Sequence, residues 1–278
     1  MSFPPSLESL VALAVAAGRE IMDVYESGRE ALQKEDGSPV TAADRRAEAV
    51  ILEGLARLAP GAPVLAEEEW AAGRTPQGLG ERFFCVDPLD GTRDFVEGGG
   101  EFTVNIAAIE GGTPQMGVVF APATGELYAG EPNQAFRSAW DAHSGRNIEA
   151  ARTIHVGRRH GSWRVTASRR SARGRTESFV DALGGATETP SSSSVKFCRI
   201  AEGAADLYPR FGDVYEWDAA AGHAILSAAG GGLMRLDGTP VTYGRADRNF
   251  LIDGFVAFGD ATAEAEARRV LKLMQTGA

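Results

Sequence analysis

The segment from Phe83 to Thr92, FFCVDPLDGT, constrains this chain more than any other. Four successive apolar residues, Phe83 to Val86, predict a strand buried on both faces. The run then ends in two aspartates three positions apart, with Pro88 between them and Gly91 after them. Proline cannot donate to a sheet ladder and glycine accommodates a sharp turn, so Asp87 and Asp90 emerge where the chain leaves its core. Such a turn has two readings. Its aspartates cap the backbone, or they bind a hard divalent cation, which for magnesium takes oxygen ligands at about 2.0 to 2.1 Å. On the second reading the Leu89 carbonyl adds a ligand, and the amides after Asp90 are free to meet a phosphate oxygen.

Two further acidic features favour the cation. Glu67, Glu68 and Glu69 follow a short apolar run, Pro63 to Ala66, which places carboxylates at the end of a second strand. Asp218 opens the Ala-rich segment WDAAAG. Each alone has a plain alternative, a solvated turn for the triplet and a helix N-cap for Asp218. All three together in one chain are a far rarer coincidence.

The rest of the sequence indicates an α+β lobe followed by an α/β lobe, divided near Pro132 into residues 1–132 and 133–278. Leu7 to Tyr25 has helical apolar spacing, and a second helix spans Ala42 to Leu58, opened by a capping box at Thr41–Asp44. Strands follow at Val64–Ala66, Phe83–Val86, Val104–Ile109, Met116–Phe120 and Leu127–Ala129. After Pro132 the pattern gives strands near Val165, Leu207 and Phe255, and helices at Thr176–Leu183, Val195–Glu202 and Asp218–Ala229. The run Ser191 to Ser194 stands out only as low complexity.

A net charge of −10 argues against binding a nucleic-acid polymer, whose affinity depends on neutralising many phosphates. That charge is uneven. Ten arginines against Asp141 and Glu149 between residues 137 and 175 leave about −18 for the remainder, so this stretch is a solvated surface or a basic rim for a small polyanion. Two cysteines, both in apolar or helical settings, suit a reducing compartment, and no apolar run of about 18 residues or signal sequence is present. A cytoplasmic protein is expected. Neither cysteine has an arginine six residues on, since Gly91 and Ala204 stand there, and DPLD lacks the DxDxT spacing of aspartate nucleophiles. No covalent phosphoenzyme is expected, and His223 within AAGHAI is read as a packed helix residue.

The run DPLDGT, the acidic pair after PVLA, WDAAAG, EFTVNIA at Glu101–Ala107 and GVVFAPATGELYAG at Gly117–Gly130 resemble the magnesium-dependent, lithium-sensitive phosphatases of the inositol monophosphatase superfamily. The block SVKFCRIAEGAADLYPRFG, Ser194 to Gly212, is similar to its bisphosphate nucleotidase branch. The resemblance implies the layered α/β/α/β/α sugar-phosphatase fold with two lobes and the active site between them. It also implies a phosphomonoesterase converting adenosine 3',5'-bisphosphate to AMP and phosphate with metal-activated water and two or more magnesium ions per site. Lithium would inhibit. By the same resemblance, Glu67, Asp87, the Leu89 carbonyl, Asp90 and Asp218 hold metal, Glu68 lies behind them or holds water, and Asp44 and Thr92 orient the attacking water. Gly91 and Thr92 amides would bind phosphate.

For the phosphate that is not cleaved, Lys196 and Arg210 are candidates, against a solvated lysine and an arginine packed beside Tyr208 and Phe211. Ser168 heads SRRS, similar to the family's SRSH turn except that Ser171 replaces histidine. The family leaves room for a homodimer and for peripheral association with the inner membrane. Rival functions are an inositol or histidinol phosphatase of the same superfamily, and a catalytically silent phosphate-ligand sensor.

Overall fold

The computed structural model describes residues 3–28, 31–33, 39–159, 161–167 and 174–276. Helix α1 (Leu7–Ser27) is followed by the paired strands β1 (Ala31–Gln33) and β2 (Pro39–Thr41), then by helix α2 (Ala42–Leu58). Next come β3 (Val64–Ala66), α3 (Glu67–Ala71), β4 (Arg82–Asp90), α4 (Thr92–Val96), β5 (Thr103–Glu110), β6 (Thr113–Ala121), β7 (Glu126–Glu131), β8 (Gln134–Asp141) and β9 (Arg146–Ile154). Strands β3 to β9 form one sheet in sequence order, antiparallel except for β3 beside β4. This sheet therefore continues well past residue 132. Composition had suggested a division there, but β8 and β9 extend the sheet to Ile154 before the second one begins.

The second half comprises β10 (Trp163–Ala167), α5 (Arg175–Ala182), β11 (Ala186–Pro190), α6 (Val195–Ala201), β12 (Leu207–Arg210), β13 (Val214–Tyr215), α7 (Glu216–Ala228), β14 (Gly232–Arg235), β15 (Leu251–Ile252), β16 (Phe255–Phe258) and α8 (Ala261–Thr276). Its main sheet has the order β11-β10-β12-β16-β14. Helix α7 begins two residues before the expected Asp218, and β16 is followed by a further helix, α8, beyond the expected elements.

Alternation along β4 and β5 builds the layers. Phe84, Val86, Val104, Ile106 and Ala108 pack with α1 and α2, whereas Phe83, Cys85, Ala107 and Ile109 face α6 and α7. A Cβ on Gly117 would run into the Ala221 carbonyl, so glycine in β6 lets the Ala-rich α7 lie directly on the sheet. The far side of α6 and α7 meets Tyr208, Leu233, Phe255 and Ala257 of the second sheet, whose outer face is covered by α5 and α8. The order is helices, sheet, helices, sheet, helices, which is the layered α/β/α/β/α arrangement.

Candidate metal centre and active site

A regular strand sends residues three apart to opposite faces. The β4–β5 register avoids this: Asp87 pairs with Asn105 and Asp90 with Thr103, so β4 carries one extra residue across that interval. This bulge at Pro88 and Leu89 brings both carboxylates to one side. The Leu89 amide donates to Asp87 Oδ1 at 2.9 Å. Asp218 arrives from the second lobe at the third position of α7, where its Oδ2 accepts the Tyr215 amide at 2.8 Å. It closes a capping arrangement from within the helix and is not the N-cap itself. One oxygen from each of Asp87, Asp90 and Asp218 lies within 4.8 Å of the others.

Three carboxylates this close and this shielded cannot all stay ionised without a compensating cation. Burial pushes Asp218 up to about 8, with Asp90 and Glu67 adding to the effect. Burial also raises Asp87 well above the ordinary range, followed by the repulsion of Glu67, Asp90 and Asp218. Asp90 is raised by burial too, against the opposing pull of Lys196 and Ser194. An all-oxygen, anionic donor set of this kind fits a hard divalent cation. Glu67, the first residue of α3, interacts with Asp87 through a hydrogen bond and with Asp218 through charge.

Asp44 lies on the adjacent helix. Its Oδ2 accepts both the amide and the hydroxyl of Thr41 at 2.7 Å, so the expected capping box is present. Its Oδ1 is 3.2 Å from Thr92 Oγ1, which is also 3.0 Å from the Leu89 carbonyl. Capping fixes one carboxylate oxygen and leaves the other against Thr92. Gly91 turns with φ +88°, and a Cβ there would strike the Ser193 hydroxyl. Its neighbour Thr92 then starts α4.

Beyond Asp90 and Asp218 lies a cavity of about 200 Å³ lined also by Ser193, Lys196, Tyr208 and Arg210. The Lys196 ammonium donates to the Ser193 carbonyl at 2.6 Å and sits 5.1 Å from the centre of the Tyr208 ring. Burial lowers it to about 8, against the attraction of Asp90. Arg210 bonds the Gly212 and Asp213 carbonyls, both at 3.3 Å, on the rim of the same cavity. Ser168, with Arg169, Arg170 and Ser171, lies outside the described residues. On the other flank, Glu67 and Glu68 border a cleft of about 890 Å³ walled by Trp70, Tyr215 and Trp217.

Sequence reasoning missed four participants. Glu48 accepts the Glu68 amide at 2.9 Å and is raised to about 7 by burial. Its signal was its place one helical turn after Asp44. Glu216, fully buried, accepts the Gly244 and Arg245 amides at 2.6 and 2.8 Å and thereby fixes the start of α7. Ser194 and Asn105 meet beside Asp90, 2.9 Å apart. His223, read as a packed residue, is 3.0 Å from the Tyr243 hydroxyl through Nδ1.

The chain is similar to the 3'(2'),5'-bisphosphate nucleotidase CysQ of Salmonella typhimurium, with 41% identity over 253 residues covering 90% of this chain and 98% of that one. It is 39% identical to CysQ of Escherichia coli K12 over 251 residues, with the same coverage of each. The crystal structure of CysQ from Bacteroides thetaiotaomicron superimposes with a TM-score of 0.74 at 33% identity, covering 91% of this chain and 97% of that one. The sequence pattern of the inositol monophosphatase family matches residues 5–269. Five alternating layers, carboxylates delivered from both halves of the chain and a match along almost its whole length place this protein in the inositol monophosphatase family.

Proposed function

We infer that the protein is a phosphomonoesterase that hydrolyses adenosine 3',5'-bisphosphate to AMP and phosphate, with water as the nucleophile. One observation carries this reading: the carboxylates of Asp87, Asp90 and Asp218 converge beside a small cavity bordered by Lys196 and Arg210. An acidic site for the scissile phosphate next to a cationic site suits a substrate with two phosphates. The similarity to CysQ proteins supports the nucleotide, while an inositol monophosphate has no group for the second site.

Glu67, Asp87, the Leu89 carbonyl, Asp90 and Asp218 would hold magnesium, which when bound polarises phosphoryl oxygens and activates water. Thr92 has one hydroxyl hydrogen and faces both the Asp44 carboxylate and the Leu89 carbonyl. Donating it toward Asp44 leaves Thr92 Oγ1 a lone pair with which to orient water, and Asp44 Oδ1 is placed to take the proton. Glu68, anchored through its amide to Glu48, is assigned to hold water from the α3 side. The Gly91 and Thr92 amides are assigned to the scissile phosphate, and Lys196 and Arg210 to the uncleaved one. Ser168 is kept as a further substrate contact from the second lobe.

Among the described residues no helix is long and apolar enough to cross a membrane. Both cysteines are buried free thiols, which supports a cytoplasmic location. Phosphate release from adenosine 3',5'-bisphosphate, inositol monophosphate and histidinol phosphate, measured side by side with magnesium, tests the substrate. The bisphosphate is expected to give the highest kcat/KM, and millimolar-range lithium is expected to inhibit; a preference for inositol monophosphate would overturn the assignment.

A further inference from the structure

The four serines between β11 and α6 tie the second lobe to the metal-binding turn of the first. The Ser192 amide donates to Glu101 Oε2 at 3.0 Å. The Ser193 hydroxyl is 2.9 Å from both the Asp90 and Glu101 carbonyl oxygens. Ser194 reaches further into the site. Its hydroxyl oxygen is 3.1 Å from Asp90 Oδ2 and 2.9 Å from the Asp218 carbonyl, and it accepts Asn105 Nδ2 at 2.9 Å. Its amide also bonds the Asp90 carboxylate. Both Ser194 and Asn105 are 1% exposed, so no bulk water replaces these partners.

A hydroxyl has a single hydrogen to donate. With Asn105 occupying a lone pair, that hydrogen is aimed at either the Asp90 carboxylate or the Asp218 carbonyl, and an ionised carboxylate is the stronger acceptor. The side chain thus stands at the joint between two carboxylates supplied by different lobes. We propose that Ser194, oriented by Asn105, is a positioning residue that fixes Asp90 for divalent-cation binding and keeps it in register with Asp218. The inference rests on the metal-centre reading above. It adds a device built from residues that neither bind the cation nor touch the substrate phosphate in that reading.

Magnesium titrations by calorimetry, and unfolding midpoints with and without magnesium, would be compared for the parent, Ser194→Ala, Asn105→Ala and the double variant. Ser194→Ala is expected to weaken magnesium binding about 10 to 100-fold, the range for partners of metal ligands. The rise in Tm on adding magnesium should shrink accordingly, while kcat at saturating magnesium recovers most of the parent value. Asn105→Ala should lose less, and the double variant should bind magnesium no worse than Ser194→Ala. If Ser194→Ala does not fold, Ser194→Cys retains the shape with a weaker donor and is expected to fall between alanine and serine. A lower metal-free Tm with an unchanged magnesium constant, or additive losses in the double variant, would overturn the proposal. A parent protein with no magnesium heat and no magnesium-dependent Tm would overturn the metal-centre reading, and this inference with it.

Discussion

Helix α6 contributes to two clusters of charge that obey opposite rules. One turn separates Lys196, which faces Asp90, from Arg199, whose guanidinium bonds Glu126 at 2.7 Å and Glu202 and the Tyr128 hydroxyl at 2.8 Å. Arg137 completes this second cluster, 2.7 Å from Glu126 and 3.5 Å from Glu202. Two partly buried arginines against two glutamates leave its interior balanced, with the half-exposed Arg152 at the edge, 3.6 Å from Glu202. Burial pushes Glu126 up, but Arg199 and Arg137 outweigh it and hold the carboxyl below its ordinary value. The acidic site has Asp87, Asp90, Asp218 and Glu67 against Lys196 and Arg210, and its three aspartates are all raised. Balanced burial clamps β7 and β8 to α6; unbalanced burial leaves an acidic cluster of the kind that suits an external cation.

The sharpest way to break this contrast is Asp90→Asn or Asp218→Asn. Turnover should fall by at least about 100-fold, beyond the usual cost of altering a metal ligand's partners. The metal-free Tm should nevertheless rise, because a repelled carboxylate has gone. Steady-state kinetics and thermal unfolding of the same preparations check both halves; near-native activity would remove that residue from the centre.

Arg210→Ala tests the cationic border of the acidic site. Charge-assisted hydrogen bonds are worth about 1.5 to 3 kcal/mol, which is roughly 10 to 150-fold in kcat/KM for a bisphosphate. A 3'-monophosphate should be nearly unaffected. Equal losses for both substrates together with a lower Tm would identify Arg210 as a packing residue.

In the balanced cluster, Glu126→Gln should instead cost about 1.5 to 3 kcal/mol of stability, by weakening bonds to two arginines. Denaturant unfolding measures it, and magnesium affinity should not change.

Acid should also separate the two clusters. Because Asp218 titrates at about 8 when folded and at about 4 when unfolded, the metal-free native state binds the extra proton between those values. That contribution therefore grows as pH falls from about 8 toward 4. Glu126 has the opposite sign: its stabilisation is present above its unfolded value and disappears as pH falls through the depressed folded one. Unfolding midpoints across pH, with and without magnesium, should show the first slope only without the cation. The smallest effect is expected for Arg152→Ala, since that side chain is half exposed at 3.6 Å from Glu202; a stability change above about 1 kcal/mol would exceed the value of a surface pair.

The contrast also explains which parts of the sequence were readable. Asp87, Asp90 and Asp218 stand beside strong local signals, namely an apolar strand, a Pro/Gly turn and an Ala-rich helix. The capping box at Thr41–Asp44 was equally plain because its partners are three residues apart. Ser194 gave no such signal: its partners Asn105, Asp90 and Asp218 come from three elements brought together only by the fold. Strand β9 was missed because Arg146 to Thr153 are all exposed, so the strand lacks an alternation of buried and exposed positions. The Arg-rich stretch proves to be mixed, with Arg137 in the balanced cluster and Arg164 paired to Asp206 at 2.5 Å. Helix α8 was not anticipated, although Ala263, Ala267, Val270 and Leu271 keep helical spacing on its buried side.

The irregularity in β4 makes the site a question of parity. Asp87 and Asp90 are an odd number of residues apart, and the additional residue between the Asn105 and Thr103 pairings converts that into an even step. Deleting either Pro88 or Leu89 would leave both aspartates in the chain and nearly the same composition. If β4 closed the gap by pairing regularly, the shortened spacing would already be even and no irregularity would be needed; if it kept the irregularity, one carboxylate would turn toward the core beneath α1 and α2. A single-residue deletion here thus forces a choice between sheet geometry and the direction of a charge, a choice that no substitution at either aspartate presents.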